Sequence, residues 1–233
     1  VFDRPDSAPA AERDLGALAG LIGDATRMGI LAALAEGVSL PAGELARRTG
    51  VRPATVTGHL RRLVDGGLVS VRAQGRHRYH QLATPEVAAL VEALARVAPA
   101  KPVRSLRAER ASRTLVEART CYDHLAGRRG VELRDRLMAA GALQVVDDRD
   151  HLLTGRGHEL LAAIGVDVAG ARAGRRIFAR SCVDWTQRRP HLAGALPAAL
   201  TARLLEQGWL HRGEGRSLRP APDYDERLAA WLS

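Results

Sequence analysis

Aromatic side chains are almost missing from this chain: 3% of its 233 residues are Phe, Trp or Tyr, so its cores must be built mainly from Ala, Leu and Val. Lysine is scarcer still. Lys101 is the only one, and arginine carries nearly all the positive charge. Cysteine occurs twice, as Cys121 and Cys182, too few for a disulfide framework. No run approaches the ~18 apolar residues that a membrane span needs, and the polar opening VFDRPDSAPAAERD has no apolar signal core. The expectation is a cytoplasmic protein without a membrane partner. Also missing are a Gly-rich phosphate loop, a Ser-His-Asp order and paired carboxylates on one face. No catalytic residue is assigned, and an enzyme carrying an appended binding domain, with Cys121 and His124 as nucleophile and base, stays only as a rival reading.

Apolar residues make up 46% of the chain, so it is globular, and its length allows more than one domain. The formal charge of +9 suits a polyanionic partner. Its location says more than its total, because an arginine skew also follows from codon bias. Residues 42–82 hold eight arginines against Glu44 and Asp65, a net of +6, whereas residues 1–98 together net +2 from twelve basic and ten acidic residues.

Residues 1–13, with Pro5, Ser7 and Pro9 among charges, read as disordered. A short apolar helix follows to Ile22. Asp24 is placed to cap a second helix that stops at Gly37. Ser39 or Pro41 starts a third helix, closed by Gly50. Pro53 opens a fourth, where its missing N–H costs nothing, and this helix runs to Asp65 before Gly66-Gly67. Val56, Leu60 and Leu63 keep helical spacing and point inward. The other face carries Arg52, Thr55, Thr57, Gly58, His59, Arg61 and Arg62. Short polar side chains let a helix enter the major groove, where Thr and Arg reach base edges and phosphates. Residues 68–73 and 77–82 read as a two-stranded ribbon turning at Gln74-Gly75-Arg76, with Arg72, Arg76 and Arg78 placed for backbone phosphates. Pro85 opens another helix whose broad apolar face invites a dimer partner.

Residues 15–97 resemble the ArsR-like family of bacterial winged-helix repressors. The resemblance rests on DATRMGIL at 24–31, GELA at 43–46, TVTGHLRRL at 55–63, GGLV at 66–69 and RHRYHQL at 76–82. It implies a homodimer that binds a palindromic operator in double-stranded DNA and represses until a signal arrives. The familiar sensing positions of the family are empty of ligands: residues 39–43 read SLPAG without thiols, and residues 85–97 hold no histidine. Gly58 stands where the family usually has a long polar side chain, which shifts base contacts toward Arg52, Thr55, Thr57 and His59.

Residues 14–98 are therefore expected to form the winged helix-turn-helix domain, with 99–117 a linker and connecting helix. The remaining residues, 118–233, contain an apparent duplication. ARTCYD at 118–123 is echoed by ARSCVD at 179–184, and HLAG at 124–127 by HLAG at 191–194. Each copy, about 118–165 and 179–232, reads as a degenerate winged-helix-like unit of helix, ribbon and helix. The expected fold class is thus mainly α with short β-ribbons. Both cysteines are expected on helices, with His124 on the same face as Cys121 and Trp185 in the matching place of the second copy. One reading is a sensor: Cys121, His124 and Cys182, with His191 as a further imidazole, holding a metal or a thiophilic oxyanion or undergoing oxidation to a disulfide or persulfide. A second is structural, with both cysteines as small core residues and the Asp and Arg of the motif as salt bridges between copies. A third is a small-molecule pocket lined by Tyr122, Phe178, Arg180 and Trp185. A bound metal or inducer is possible on these readings; DNA binding itself requires no cofactor.

Overall fold

The structure, a computed structural model, describes residues 13–99, 105–147, 150–174 and 176–233. The expected disorder of residues 1–12 and most of the expected linker around 99–104 lie outside the described residues. Chain contacts divide the molecule into two compact units. One holds the described residues up to Leu34 and Ser39–Ala83; the other holds Ala35–Val38 and Thr84–Ser233.

In the first unit, Asp14 caps α1 (Leu15–Ile22), its Oδ1 accepting from the Ala17 N–H at 2.8 Å. The chain bends by 88° into α2 (Ala25–Leu34). Asp24 caps α2 through the Arg27 N–H at 2.8 Å. The Arg27 side chain is buried and donates to the Leu21 and Gly20 carbonyls at 2.5 and 2.6 Å. These are open carbonyls at the end of α1, so one guanidinium terminates the first helix and anchors the second. No single helix among the described residues is long and apolar enough to cross a membrane.

A two-residue strand β1 (Leu40–Pro41) leads into α3 (Ala42–Thr49), which closes at Gly50 with φ +69°. Pro53 begins α4 (Pro53–Asp65). Val56, Leu60 and Leu63 are buried, as are Ile30, Leu31 and Leu34 of α2 and Leu45 of α3, and the three helices pack against one another. β2 (Val69–Gln74) and β3 (His77–Leu82) pair antiparallel from Val69 opposite Leu82 to Gln74 opposite His77. Gly75 takes φ +57° at the first turn position, where a side chain would be strained. The expected two-stranded ribbon is a three-stranded sheet in the order β1-β3-β2, because Leu40 lies opposite His80 and Pro41 opposite Tyr79. Proline is tolerated there because β1 is an edge strand.

The second unit begins with α5 (Pro85–Val97), capped by Thr84. The contact division falls at Ala83/Thr84, earlier than the expected residue 98. Part of the reason is that Glu92 of α5 is buried and ion-paired with Arg216. Val87, Ala88 and Val91 are also buried, so the apolar face expected to await a partner is largely covered by this chain. After α6 (Leu106–Glu117), one element order occurs twice. The first series is β4 (Arg119–Cys121), β5 (His124–Ala126), α7 (Arg128–Ala139), β6 (Leu143–Val145), β7 (His151–Leu153) and α8 (Gly155–Ala163). The short α9 (Val168–Ala173) intervenes. The second series is β8 (Arg180–Val183), β9 (Pro190–Ala193), α10 (Ala195–Glu206), β10 (Leu210–Arg212), β11 (Leu218–Pro220) and α11 (Tyr224–Leu232).

The two series share one core. α7 packs on β9 as well as on β5, and α10 on β5 as well as on β9. Thr201 of α10 accepts from the Leu125 N–H at 2.9 Å. Gly130 of α7 has no room for a side chain: a Cβ there would lie 2.5 Å from the Leu125 carbonyl oxygen. Among the few aromatics, Trp209 and Trp231 meet edge to face at 5.9 Å, and the Trp231 indole donates to the Leu160 carbonyl at 2.7 Å.

Candidate nucleic-acid interface and thiol–imidazole cluster

On α4, Arg52, Thr55, Thr57, Gly58, Arg61 and Arg62 are all exposed, while Val56, Leu60 and Leu63 are buried. Arg52 precedes the first turn in an extended conformation, and the Thr57 hydroxyl donates to the Pro53 carbonyl at 3.0 Å. His59 differs from its neighbours. It is half-buried, and its Nδ1 stands 3.6 Å from Oδ1 of Asp24, so it faces α2 more than solvent.

Arg72, Arg76 and Arg78 are exposed on the wing. Cross-strand register separates them: Arg72 lies opposite Tyr79, and Arg78 opposite Ala73, on the other face of the ribbon. Arg76, Arg78 and His77 join Thr57 and Arg61 in lining a groove between the wing and α4. Arg72 looks away from it. Cations thus stand on both sides of the groove.

In the second unit the structure corrects the placement of both cysteines. Neither lies on a helix. Cys121 ends β4, directly opposite His124 on β5, and Cys182 lies on β8, opposite His191 on β9. The i to i+3 spacing of Cys121 and His124 is a tight hairpin. Its turn is Tyr122-Asp123, with Tyr122 at φ +63° and its carbonyl against Gly37, where a Cβ would come within 2.0 Å. In the second hairpin six residues, 184–189, separate the strands, so equal spacing pointed to Trp185 whereas pairing selects His191. The repeated HLAG was the signal that matched the two histidines.

The two hairpins bring Cys121, His124, Cys182 and His191 together, with one side-chain donor atom from each lying within 4.8 Å of all the others. Cys121, His124 and His191 are buried, and Cys182 is partly exposed. The imidazoles stack at 5.3 Å and 27°. Nδ1 of His124 is 3.3 Å from Asp123 Oδ1, and Nδ1 of His191 is 4.0 Å from Asp184 Oδ2. No carboxylate, carbonyl or hydroxyl hydrogen-bonds to Nε2 of His124 or to either ring nitrogen of His191. A buried polar group left in that state costs about 1–3 kcal/mol.

The electrostatics polarise the cluster. Hydrogen bonding with Cys121 outweighs burial and, with His124 and His191 adding, pulls the Cys182 thiol down to about 2. The same Cys182 contact, reinforced by burial, pushes Cys121 well up. Burial alone would lower His124, but Asp123 and then Cys182 outweigh it and raise it. Cys182 is thus the more acidic thiol of the pair.

Both motif aspartates are fixed from outside the cluster. Asp184 is fully buried and accepts from Arg119 Nη2 (2.8 Å), Gly127 N (2.7 Å), Thr186 N (2.8 Å) and Oγ1 (2.6 Å), and Gln187 N (2.9 Å). Burial pushes its carboxyl up, but the Arg119 charge and these donors hold it at about 2. Arg119, itself fully buried, also lies 4.7 Å over the Trp185 ring. Asp123 is held by Arg176 (Nη2–Oδ1 2.8 Å). The salt bridge expected between the two motifs is therefore present as Arg119–Asp184, and its mirror image is made by Arg176 instead of Arg180.

A cavity of about 390 Å3 opens beside the cluster, lined by Cys121, His124 and Cys182, by Tyr122, Arg176 and Arg180, and by Thr84–Ala89 at the start of α5 except for Val87. Of the four residues expected around a pocket, Tyr122 and Arg180 line it. Phe178 instead packs on the core beneath Arg172, and Trp185 stacks on Arg119.

A tri-helical core with an exposed polar helix and a basic wing defines a winged helix-turn-helix DNA-binding protein. A helix-turn-helix domain family model matches residues 22–72. The HTH-type transcriptional regulator YdfF of Bacillus subtilis (strain 168) is 40% identical over 199 residues, 85% of this chain and 88% of that protein. The chain belongs to the ArsR-type family of HTH transcriptional regulators. Solved structures similar to it include reduced HlyU from Vibrio cholerae N16961 (29% identity, 36% of this chain and 86% of that one, TM-score 0.33). Another is the homodimeric winged helix-turn-helix domain of Mb0332 from Mycobacterium bovis, described as a possible ArsR-family regulator (26% identity, 36% and 85%, TM-score 0.34).

Proposed function

We propose that this regulator is a repressor that binds a palindromic operator as a homodimer and is released by a signal received in its second unit. The observation that carries the DNA-reading part is the exposed face of α4 beside the wing groove. Arg52, Thr55 and Thr57 read bases, Gly58 allows close approach, and Arg61, Arg62, Arg76 and Arg78 neutralise phosphates, with Arg72 doing so from the outer face of the wing. His59, turned toward Asp24, positions α4 on α2. The dimer reading is supported by α1, whose sequence LGALAGLI has no buried residue and leaves Leu15 70% exposed; a second copy of this chain covers it. The paired strands and matching element order of the two C-terminal series support reading them as copies of one unit, which then forms the sensory half.

The test is selection of bound sequences from random duplex DNA by the full chain. The expected result is one palindrome whose half-sites are about one helical turn, ~34 Å, apart. Recovery of no preferred sequence would overturn the reading in favour of nonspecific binding.

A further inference from the structure

We propose that Cys121, His124, Cys182 and His191 form a tetrahedral site for a thiophilic divalent cation of the zinc type, with Asp123 and Asp184 as its outer carboxylates. The donor set is two sulfurs and two imidazole nitrogens, the composition closed zinc sites use. With metal–sulfur bonds of ~2.3 Å and metal–nitrogen bonds of ~2.0–2.1 Å, tetrahedral edges run from roughly 3.3 to 3.8 Å. Four donors already within 4.8 Å of one another reach that geometry with shifts of about an ångström.

Three further observations point to a ligand. Nε2 of His124 and both ring nitrogens of His191 are buried with no oxygen acceptor and have the cluster's own sulfurs beside them, the surroundings that soft metal ligands have. Each histidine has a carboxylate on its Nδ1 side, Asp123 at 3.3 Å and Asp184 at 4.0 Å, the arrangement that orients a metal-bound imidazole through its other nitrogen. And the cavity leads to Cys182, the one partly exposed member, so an ion has a way in.

Charge balances as well. With both cysteines as thiolates and both imidazoles neutral, a divalent cation makes the centre neutral, and any proton the four groups held leaves to solvent. A neutral centre is the form a buried site accepts at least cost. The ligands come from two hairpins, so a bound ion ties β4–β5 to β8–β9 at the floor of a cavity whose wall is the start of α5. That helix follows wing strand β3 in the chain after only Ala83 and Thr84. Control of DNA binding by the ion rests on the proposed function; occupancy of the site does not.

The experiment uses the full chain, stripped by chelator under reductant and titrated with Co2+ and then Zn2+. One Co2+ per chain is expected, with the visible bands of tetrahedral cobalt and thiolate-to-cobalt charge transfer, bleached by stoichiometric Zn2+. Cys182→Ser should weaken the charge-transfer band and cut affinity at least 100-fold, and Asp123→Asn should cut it 10- to 100-fold. Far-UV circular dichroism and DNA binding of the metal-free variants establish that they are folded. An octahedral spectrum, or an unchanged spectrum in a folded Cys121→Ser/Cys182→Ser double variant, would overturn the site. A second arm compares DNA affinity of the Zn2+-loaded and metal-free wild type. A tetrahedral site with equal DNA affinities upholds the metal centre and overturns only its control of DNA binding.

Discussion

Asp184 and Arg119 show how much a single pair decides at the residue scale. Both are fully buried, and each carries a charge that water no longer screens. Removing one leaves the other uncompensated, which typically costs about 3–5 kcal/mol. Asp184→Ala should therefore lower stability by about that amount in urea unfolding, whereas Arg113→Ala, at an exposed i,i+4 pair with Glu109, should cost less than ~0.5 kcal/mol. His80 supplies the pH dependence. Burial pushes its imidazole below the usual 6.5, against the raising effect of the Leu40 carbonyl. The unfolded chain then binds a proton more readily than the folded one, so stability is full above pH 6.5 and falls as pH drops from there toward the folded value. An NMR titration should place the His80 midpoint below 6.5, and His80→Gln should reduce the loss of melting temperature between pH 7 and 5.5.

At the scale of elements, the proposed reading divides DNA contacts between the wing and α4. Arg76 and Arg78 lie in the groove with Arg61, and each of the two replaced by Ala should weaken binding to all DNA and reduce the salt slope by about one. Arg52→Ala or Thr57→Ala should change base preference at one half-site position with a smaller effect on that slope. Binding isotherms at several salt concentrations on the selected operator and on random duplex separate the two outcomes. In the second unit, α7 tests packing against propensity. Alanine is a better helix former than glycine by about 1 kcal/mol. Yet Gly130→Ala should destabilise the protein, because the new methyl group meets the backbone of the His124 hairpin. Thermal unfolding reads the sign directly.

For the whole molecule, the expected assembly is a dimer formed at least in part through α1. Leu15→Glu with Leu18→Glu should yield a monomer by native mass spectrometry, with affinity for the palindrome reduced toward that of one half-site and the fold kept, because neither side chain is buried. A dimer surviving this change would move the interface to another surface.

The winged helix-turn-helix was legible in the residues because its signals are local. Pro53 and Gly50 mark helix ends, Val56, Leu60 and Leu63 mark a buried face, and Gly75 marks a hairpin; each acts through its own backbone conformation or its nearest turn. The exposed arginines of α4 and the wing followed from the same periodicity. What sequence spacing misjudged was non-local. The i to i+3 spacing of Cys121 and His124 satisfies a helix and a tight hairpin equally, and the choice was made by β4–β5 pairing and by α7 and α10 packing on the strands. The partner of Cys182 was hidden by a six-residue loop, since strand register, not chain distance, selects His191. The sequence by itself determined a DNA-reading module, because helix faces and turns are written in short-range pattern. Only the tertiary structure decided that two distant cysteines and two distant histidines meet, because closing hairpins 60 residues apart depends on a shared core that no local stretch contains.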